Sequence, residues 1–400
     1  MTLSRGVADE QEDKPFAAFQ SAIETRAAEG YGPWLPVSTA ELEATAERIL
    51  SPRARAYLFG GAGRGDTMRA NLEAFRRWQL IPRAPLDVGS RDHSTVLLGT
   101  EIAAPVLVAP IGTQTRYHPE GELATARAAA ATGVTLIASG VGDHTLEQSA
   151  EANADSSRWF QLYWPRDDAI TRSLLARAEQ AGYQAIVVTV DAALPGWRPE
   201  DLRHGQALAS RGRGMANFLS DPEFRSQLAR PPEDDQDAAV SHYFSVAHSP
   251  AITWERLEWL RGLTELPIVV KGLQHPDDAR AAVRSGMDGV VVSNHGGRQV
   301  DGSVGSLDAL PAIVDAVGDS MPVLFDSGIR GGADIVKALA LGAAAVLIGR
   351  PYIWGMALAG QEGVEWVLRG LLAELDITTA LVGETSAPAL TRAAVRRDGG

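Results

Sequence analysis

The chain contains no cysteine. That absence excludes a disulfide framework, a cysteine nucleophile, and zinc or iron–sulfur sites held by thiolates. Long apolar runs are missing too: no segment reaches the ~18 consecutive apolar residues of a membrane-spanning helix. Residues 1–14 are polar and acidic and lack a basic stretch followed by an apolar core, so no secretory leader is expected and a cytoplasmic location is. Positive charge is in deficit, with 37 Lys+Arg against 50 Asp+Glu and a formal net charge of −13. A chain this acidic repels a phosphate backbone, which argues against a nucleic-acid partner. What is present is ordinary globular composition, 45% apolar and 22% charged, on 400 residues, enough for one large α/β domain or two ordinary ones. Glycine is the one excess: 40 residues imply many tight turns, or backbone that must approach a ligand closely.

Short apolar runs recur along the sequence: 105–110 (PVLVAP), 134–139 (VTLIAS), 159–164 (WFQLYW), 185–191 (AIVVTVD), 267–272 (PIVVKG), 289–294 (GVVVSN), 322–326 (PVLFD) and 344–349 (AAVLIG). Continuous apolar runs of this length suit strands buried on both faces of a parallel sheet. Between them lie amphipathic or Ala-rich stretches at 120–131, 169–181, 276–285, 307–317 and 333–341. Glycine closes several of these where a helix would stop, at Gly133, Gly182, Gly286 and Gly342. Strand and helix alternating eightfold predicts a (β/α)8 TIM barrel; an open doubly wound sheet is the alternative, but eight is a number that closes.

Two segments stand outside the repeat. Residues 1–100 read as an N-terminal extension, with helical stretches at 40–50 and 68–77 placed to cap the barrel bottom. The barrel then spans 101–385, and 386–400 is a tail, expected to fray from about Arg392. Between the fourth and fifth strands, about 192–266, runs a long insertion with a Gly/Arg-rich piece (211–214) and Pro-rich acidic text (230–235). So long an excursion is usually functional, and residues 196–250 are expected to form a lid over the active face.

Catalytic groups of a barrel lie at the C-terminal ends of its strands. Those positions hold Pro110-Ile111-Gly112 after strand one, Ser139 after strand two, and Gln161 and Tyr163 on strand three. Strand four carries Thr189 and Asp191, strand five Lys271, and strand six Ser293 followed by His295 and Arg298. Strand seven ends in Asp326-Ser327-Gly328 and Arg330, and strand eight in Gly349-Arg350. Glycines and arginines after the last two strands suit a phosphate held by backbone N–H groups. A lysine ending a buried strand needs an anion or polar ligand. His295, between Asn294 and two glycines, is placed as a general base, with Asp191 able to stabilise its protonated form and Arg298 able to grip a carboxylate. This chemistry predicts a phosphate-bearing cofactor, a small carboxylate substrate and a base able to take a proton, and leaves redox and proton-abstraction chemistry both open.

The segment 293–299 (SNHGGRQ) resembles the signature of the FMN-dependent 2-hydroxy acid oxidase and dehydrogenase family. The segments 160–163 (FQLY), 189–191 (TVD), 270–272 (VKG) and 325–330 (FDSGIR) support the likeness in the same order. The insertion segments 196–202 (GWRPEDL) and 220–224 (SDPEF) resemble the family's lactate 2-monooxygenase branch. The resemblance implies FMN as cofactor, a small (S)-2-hydroxy acid and O2 as substrates, and a homo-oligomer, tetramer or octamer. It implies that His295 is the base, paired with Asp191, and that Arg298 and Tyr57 hold the substrate carboxylate with Arg198 nearby. Tyr163 would bond the substrate hydroxyl and Lys271 the flavin N1–O2 edge. Gly112, with Pro110 and Ile111, would lie beside N5. Ser139, Gln161, Thr189 and Ser293 would meet the isoalloxazine, and Asp326, Ser327, Gly328, Arg330, Gly349 and Arg350 the ribityl phosphate. Val141 stands where glycolate oxidase-like members carry Trp, which implies a differently shaped pocket. The branch implies conversion of lactate and O2 to acetate, CO2 and water. The alternatives are an oxidase releasing keto acid and peroxide, a dehydrogenase using a quinone or cytochrome and, in another class, a sugar-phosphate aldolase or isomerase.

Overall fold

The computed structural model describes residues 15–205 and 212–398. The polar opening 1–14, Arg211 of the Gly/Arg-rich piece and the end of the tail lie outside them. Eight parallel strands close into a barrel: β1 Val106–Val108, β2 Thr135–Ser139, β3 Arg158–Tyr163, β4 Ile186–Thr189, β5 Ile268–Leu273, β6 Gly289–Val292, β7 Val323–Phe325 and β8 Ala345–Ile348. The closed sheet settles the choice against an open one. Helices α1 Gly121–Thr132, α2 Leu146–Asn153, α3 Asp168–Gln180, α4 Trp254–Arg261, α5 Pro276–Arg284, α6 Ser306–Val317, α7 Gly332–Ala340 and α8 Arg350–Leu381 follow the strands in turn.

Local chemistry explains the boundaries. Asp167 starts α3 by accepting from the N–H groups of Ala169 and Ile170. Thr145 and Gln148 form a capping box that starts α2, a helix the apolar pattern had not marked. Gly133, at φ 67°, ends α1 in the left-handed conformation that a side chain would oppose.

Strand side chains alternate between two cores. Val106, Val108, Leu136, Phe160, Leu162, Ile186, Val188, Ile268, Val270, Val290 and Phe325 face the helices. Leu107, Ile137, Trp159, Val187, Val269, Val291, Leu324 and Leu347 fill the barrel interior. The interior is closed from below by a hairpin, Thr95–Leu97 paired with Thr100–Ile102, whose Leu97 and Ile102 pack into the same cluster. The helices expected at the bottom are fastened instead at the opposite end. Thr39, opening helix Thr39–Ile49, donates to the Arg330 carbonyl (2.7 Å), and Asn71 of helix Asp66–Arg76 exchanges side-chain hydrogen bonds with Asn294 (2.9 and 2.6 Å). Both were read as helical stretches; what the pattern could not give was which end of the barrel they would find.

The expected frayed end is also corrected. Val395–Arg397 pairs antiparallel with Trp78–Leu80, and Ala394 and Val395 are buried. The strand is short and its polar arginines face solvent, so its sequence reads as a tail.

The insertion is folded where described, as helices Pro199–Arg203, Ala216–Leu219, Pro222–Ser226 and Gln236–Val246. Residues 214–221 are fastened to the loop after β2. Asp143 accepts from Gly214 N–H (2.7 Å), Asn217 bonds Leu146 N–H and the Gly140 carbonyl (2.7 and 3.0 Å), and buried Asp221 meets Arg177 and Ser173 of α3 (3.0 and 2.7 Å).

Candidate active site

The barrel interior changes character one pleat above its core. Two residues beyond Ile137, Trp159, Val187, Val269, Val291 and Leu324 on the same inward face stand Ser139, Gln161, Thr189, Lys271, Ser293 and Asp326. All six are buried, so each needs a polar partner. They form two chains around the ring. Gln161 accepts from Ser139 Oγ (3.3 Å) and donates to Thr189 Oγ1 (3.1 Å). Lys271 Nζ donates to Ser293 Oγ (3.0 Å) and lies 2.9 Å from Asp326 Oδ2. Burial works against the ammonium, but Asp326 and Asp191 outweigh it and hold its pKa above the usual lysine value. A cation is thus fixed at the floor of the site.

His295 follows β6 in a tight turn at φ 58°, with Gly296 and Gly297 also left-handed. Its Nδ1 lies 2.9 Å from Asp191 Oδ1, which leaves Nε2 as the nitrogen free of that carboxylate. Burial pushes the Asp191 carboxyl up, but His295 and Lys271 more than offset this and hold it below the ordinary range. It is therefore ionised at neutral pH and can accept a hydrogen bond from a proton on His295 Nδ1. A side chain at Gly272 (φ 113°) would stand about where this carboxylate lies. Five non-glycine residues among those described have positive φ, and three of them, Thr113, His295 and Ser327, lie at this rim, as strained backbone at functional sites tends to.

Arg298 closes the site from the side. Its Nη1 donates to the carbonyls of Tyr57 and Gly60 (2.5 and 2.9 Å), and its guanidinium lies 4.5 Å from the Tyr57 ring centre. Arg198, from the insertion, donates to the Arg298 carbonyl and to Gln299 (2.9 and 2.7 Å). It backs Arg298 and is absent from the cavity wall. Tyr163 is on that wall, its phenol held protonated by burial.

At the other end Arg330 and Arg350 converge. Burial comes first in lowering both; Arg350, beside Arg298 and Arg330, is pushed down to about 9. Arg330 Nε is buried with no hydrogen-bond partner among the described residues, and Arg350 spends its donors on neutral carbonyls of Leu58 and Gly296 (2.8 and 3.0 Å). Gly349 begins α8, which is interrupted by a kink at Ala359 and Gly360, with no side-chain cap. Two under-compensated guanidiniums at an open helix N-terminus match a phosphate.

These groups surround one cavity enclosing ≈ 940 Å³ of atom-free space, part of it open to solvent. Tyr57, Pro110, Ile111, Gly112, Tyr163, Thr189, Lys271, His295, Arg298, Asp326, Ser327, Gly328, Arg330, Gly349 and Arg350 line it. Ser139, Gln161, Asp191, Ser293 and Arg198 stand behind that wall. The donor set fits FMN: Arg330 and Arg350 for a phosphate, Gly112 on the wall, where an added Cβ would strike Val141, and Lys271 on the same wall. Sequence reasoning missed Leu58 and Tyr117, which also line the cavity. The Tyr117 hydroxyl is buried without a partner. Its position before α1 carried no signal, because it reaches the site through the loop geometry alone.

A family model described as FMN-dependent dehydrogenase matches residues 46–397. L-lactate oxidase of Lysinibacillus sphaericus is 43% identical over 91% of this chain and 94% of its own length. 2-Hydroxyacid oxidase 1 of Homo sapiens is 40% identical, covering 90% and 96%. Among solved structures, mandelate oxidase with (S)-4-hydroxymandelic acid superposes with a TM-score of 0.81 at 39% identity, over 90% of this chain and 99% of that one.

Proposed function

The chain belongs to the FMN-dependent dehydrogenase family, an FMN enzyme oxidising 2-hydroxy acids, and from that premise we propose how its own residues act and on what. The substrate is a small (S)-2-hydroxy acid, with lactate as the first candidate, and O2 is the electron acceptor. FMN, when bound, supplies the two-electron acceptor that the side chains lack. Arg298 and Tyr57 hold the substrate carboxylate at the open side of the cavity. Tyr163, protonated, donates to or orients the 2-hydroxyl. His295 Nε2 takes the substrate proton while Asp191 stabilises the resulting imidazolium. Lys271 offsets negative charge developing beside it, in a site too buried for water to do so. Arg330, Arg350 and the start of α8 anchor the phosphate, with Ser139, Gln161, Thr189 and Ser293 fixing the rim.

The observation that carries the reading is the His295–Asp191 pair at 2.9 Å beside a buried Lys271 and a guanidinium on one cavity wall. Purified protein should be yellow, and lactate should bleach it without oxygen; a colourless protein that takes up no FMN would sink the proposal.

A second reading concerns the product. The insertion is fastened to the loop carrying Val141, beside Gly112, so a lid can delay release of the keto acid. Kept together, keto acid and peroxide yield the monooxygenase outcome, lactate and O2 giving acetate, CO2 and water; released, they are the oxidase products. The named relatives are oxidases. Acetate or pyruvate, measured as the product of aerobic turnover, separates the two. A cytoplasmic site and a tetramer or octamer are further proposals, to be read by fractionation and light scattering; a relative from Arabidopsis thaliana is named as peroxisomal.

A further inference from the structure

The two arginines beside the cavity carry more charge than their hydrogen bonds account for. Arg198 and Arg298 are nearly buried, with side chains 16% and 12% exposed. Burial, and then the charge of Arg298, depress the Arg198 pKa, so the pair is short of anion. Most of their donors meet neutral acceptors: the carbonyls of Tyr57, Gly60 and Arg298, and the Gln299 amide. Such acceptors satisfy N–H groups without cancelling charge.

One carboxylate answers both. Asp201, on the insertion helix Pro199–Arg203, places Oδ2 3.4 Å from Arg298 Nη2 and 3.5 Å from Arg198 Nη1. Its Oδ1 is buried with no hydrogen-bond partner among the described residues. Other acids near the site are already spoken for: Asp191 faces His295, and Asp326 faces Lys271. Residues 206–211 of the insertion contain no acid. Two guanidiniums against one carboxylate leave a single positive charge facing the cavity.

We propose that Asp201 sets the charge of the carboxylate clamp at one, so that the site selects a monocarboxylate over a dicarboxylate. The proposal rests on Arg298 as the substrate-carboxylate group. Asp201 is absent from the cavity wall and is a positioning and specificity residue. Its loss leaves the pair with a second unmatched charge, which a dianion fills better than a monoanion.

The test uses the full-length, FMN-loaded protein, titrated anaerobically at low salt with propionate and with malonate, following the flavin spectrum. In Asp201→Asn, the preference for malonate over propionate should rise by about tenfold or more relative to wild type, and fall back with added salt. Asp201→Glu, which keeps the charge, should stay near the wild-type preference. The ratio kcat/KM for tartronate over lactate should move the same way. Equal weakening of both anions in Asp201→Asn would mark a purely structural residue and overturn the proposal, as would an unchanged preference. If Asp201→Asn does not fold, wild type alone decides: it should bind malonate no tighter than propionate, and tighter binding refutes the idea. Failure of any 2-hydroxy acid to bleach the wild type would defeat the oxidation reading instead, while the anion preference would still report on the clamp.

Discussion

The lower and upper halves of the barrel interior are built from the same strands and the same alternation, yet they have opposite chemistry. Below, Leu107, Ile137, Trp159, Val269, Val291 and Leu324 pack into a dry layer plugged by Leu97 and Ile102. One pleat higher, the same faces carry Gln161, Thr189, Lys271, Ser293 and Asp326, each tied to a polar neighbour. The lower half makes the scaffold rigid through close packing; the upper half uses that rigidity to hold charges in fixed positions without water. Function in this fold is thus a matter of height along a strand: a two-residue step exchanges stability for chemistry.

The largest expected effect lies at the top. His295→Gln should keep FMN bound but slow anaerobic flavin reduction by lactate by about 10²–10⁴-fold or more. Retention of most activity in stopped-flow would remove His295 as the base. The mirror experiment is below. Leu324→Ala should cost about 2–5 kcal/mol in denaturant unfolding while leaving the His295–Asp191 geometry, and so KM, nearly unchanged. If KM and FMN affinity shifted as strongly as stability, the two halves would not be separable.

A smaller effect is expected at the lid. Asp221 caps helix Pro222–Ser226 and ties it to Arg177 and Ser173. Asp221→Ala should cost about 1 kcal/mol or somewhat more from the lost cap alone. It should also raise the share of free pyruvate and peroxide among the products; an unchanged product ratio would mean that these contacts do not govern release.

The subtlest test is pH. The Asp191 pKa is depressed in the folded protein, so its contribution is present above the unfolded carboxylate value and is lost as pH falls through the lower, folded one. The Lys271 pKa is raised, so its contribution is complete below the unfolded lysine value and is lost as pH rises through the higher, folded one. Melting temperature should therefore be insensitive to these two groups between about pH 5 and 9, with losses in acid and alkali. Asp326→Asn should move the alkaline loss to lower pH, because it removes a main support of the Lys271 charge; an unmoved alkaline limb would separate the two.

Much of this was legible. The eight apolar runs match the eight strands to within a few residues because burial on both faces demands continuous apolar sequence, whatever surrounds it. The inward polar ring was legible too, since a lysine or glutamine at the end of such a run has no structural reason to be there. Arg198 shows the limit: its residue type and position near the site were readable, but not that it would back Arg298 rather than face the cavity. Tyr117 shows it more sharply, as an ordinary tyrosine in a loop whose hydroxyl comes to rest unpartnered in the wall.

By itself the sequence determined the periodicity, the strand-end chemistry and the family, because these depend on the order of residues along single elements. The tertiary structure alone decided which end the extension helices occupy, that a hairpin and not a helix plugs the barrel, that the tail pairs with Trp78–Leu80, and that Asp201 meets two arginines at once. Each of these is a meeting of segments distant in the chain or converging from different loops. Such meetings are set by the shape of apolar faces and the balance of buried charge in three dimensions, quantities that no local pattern carries.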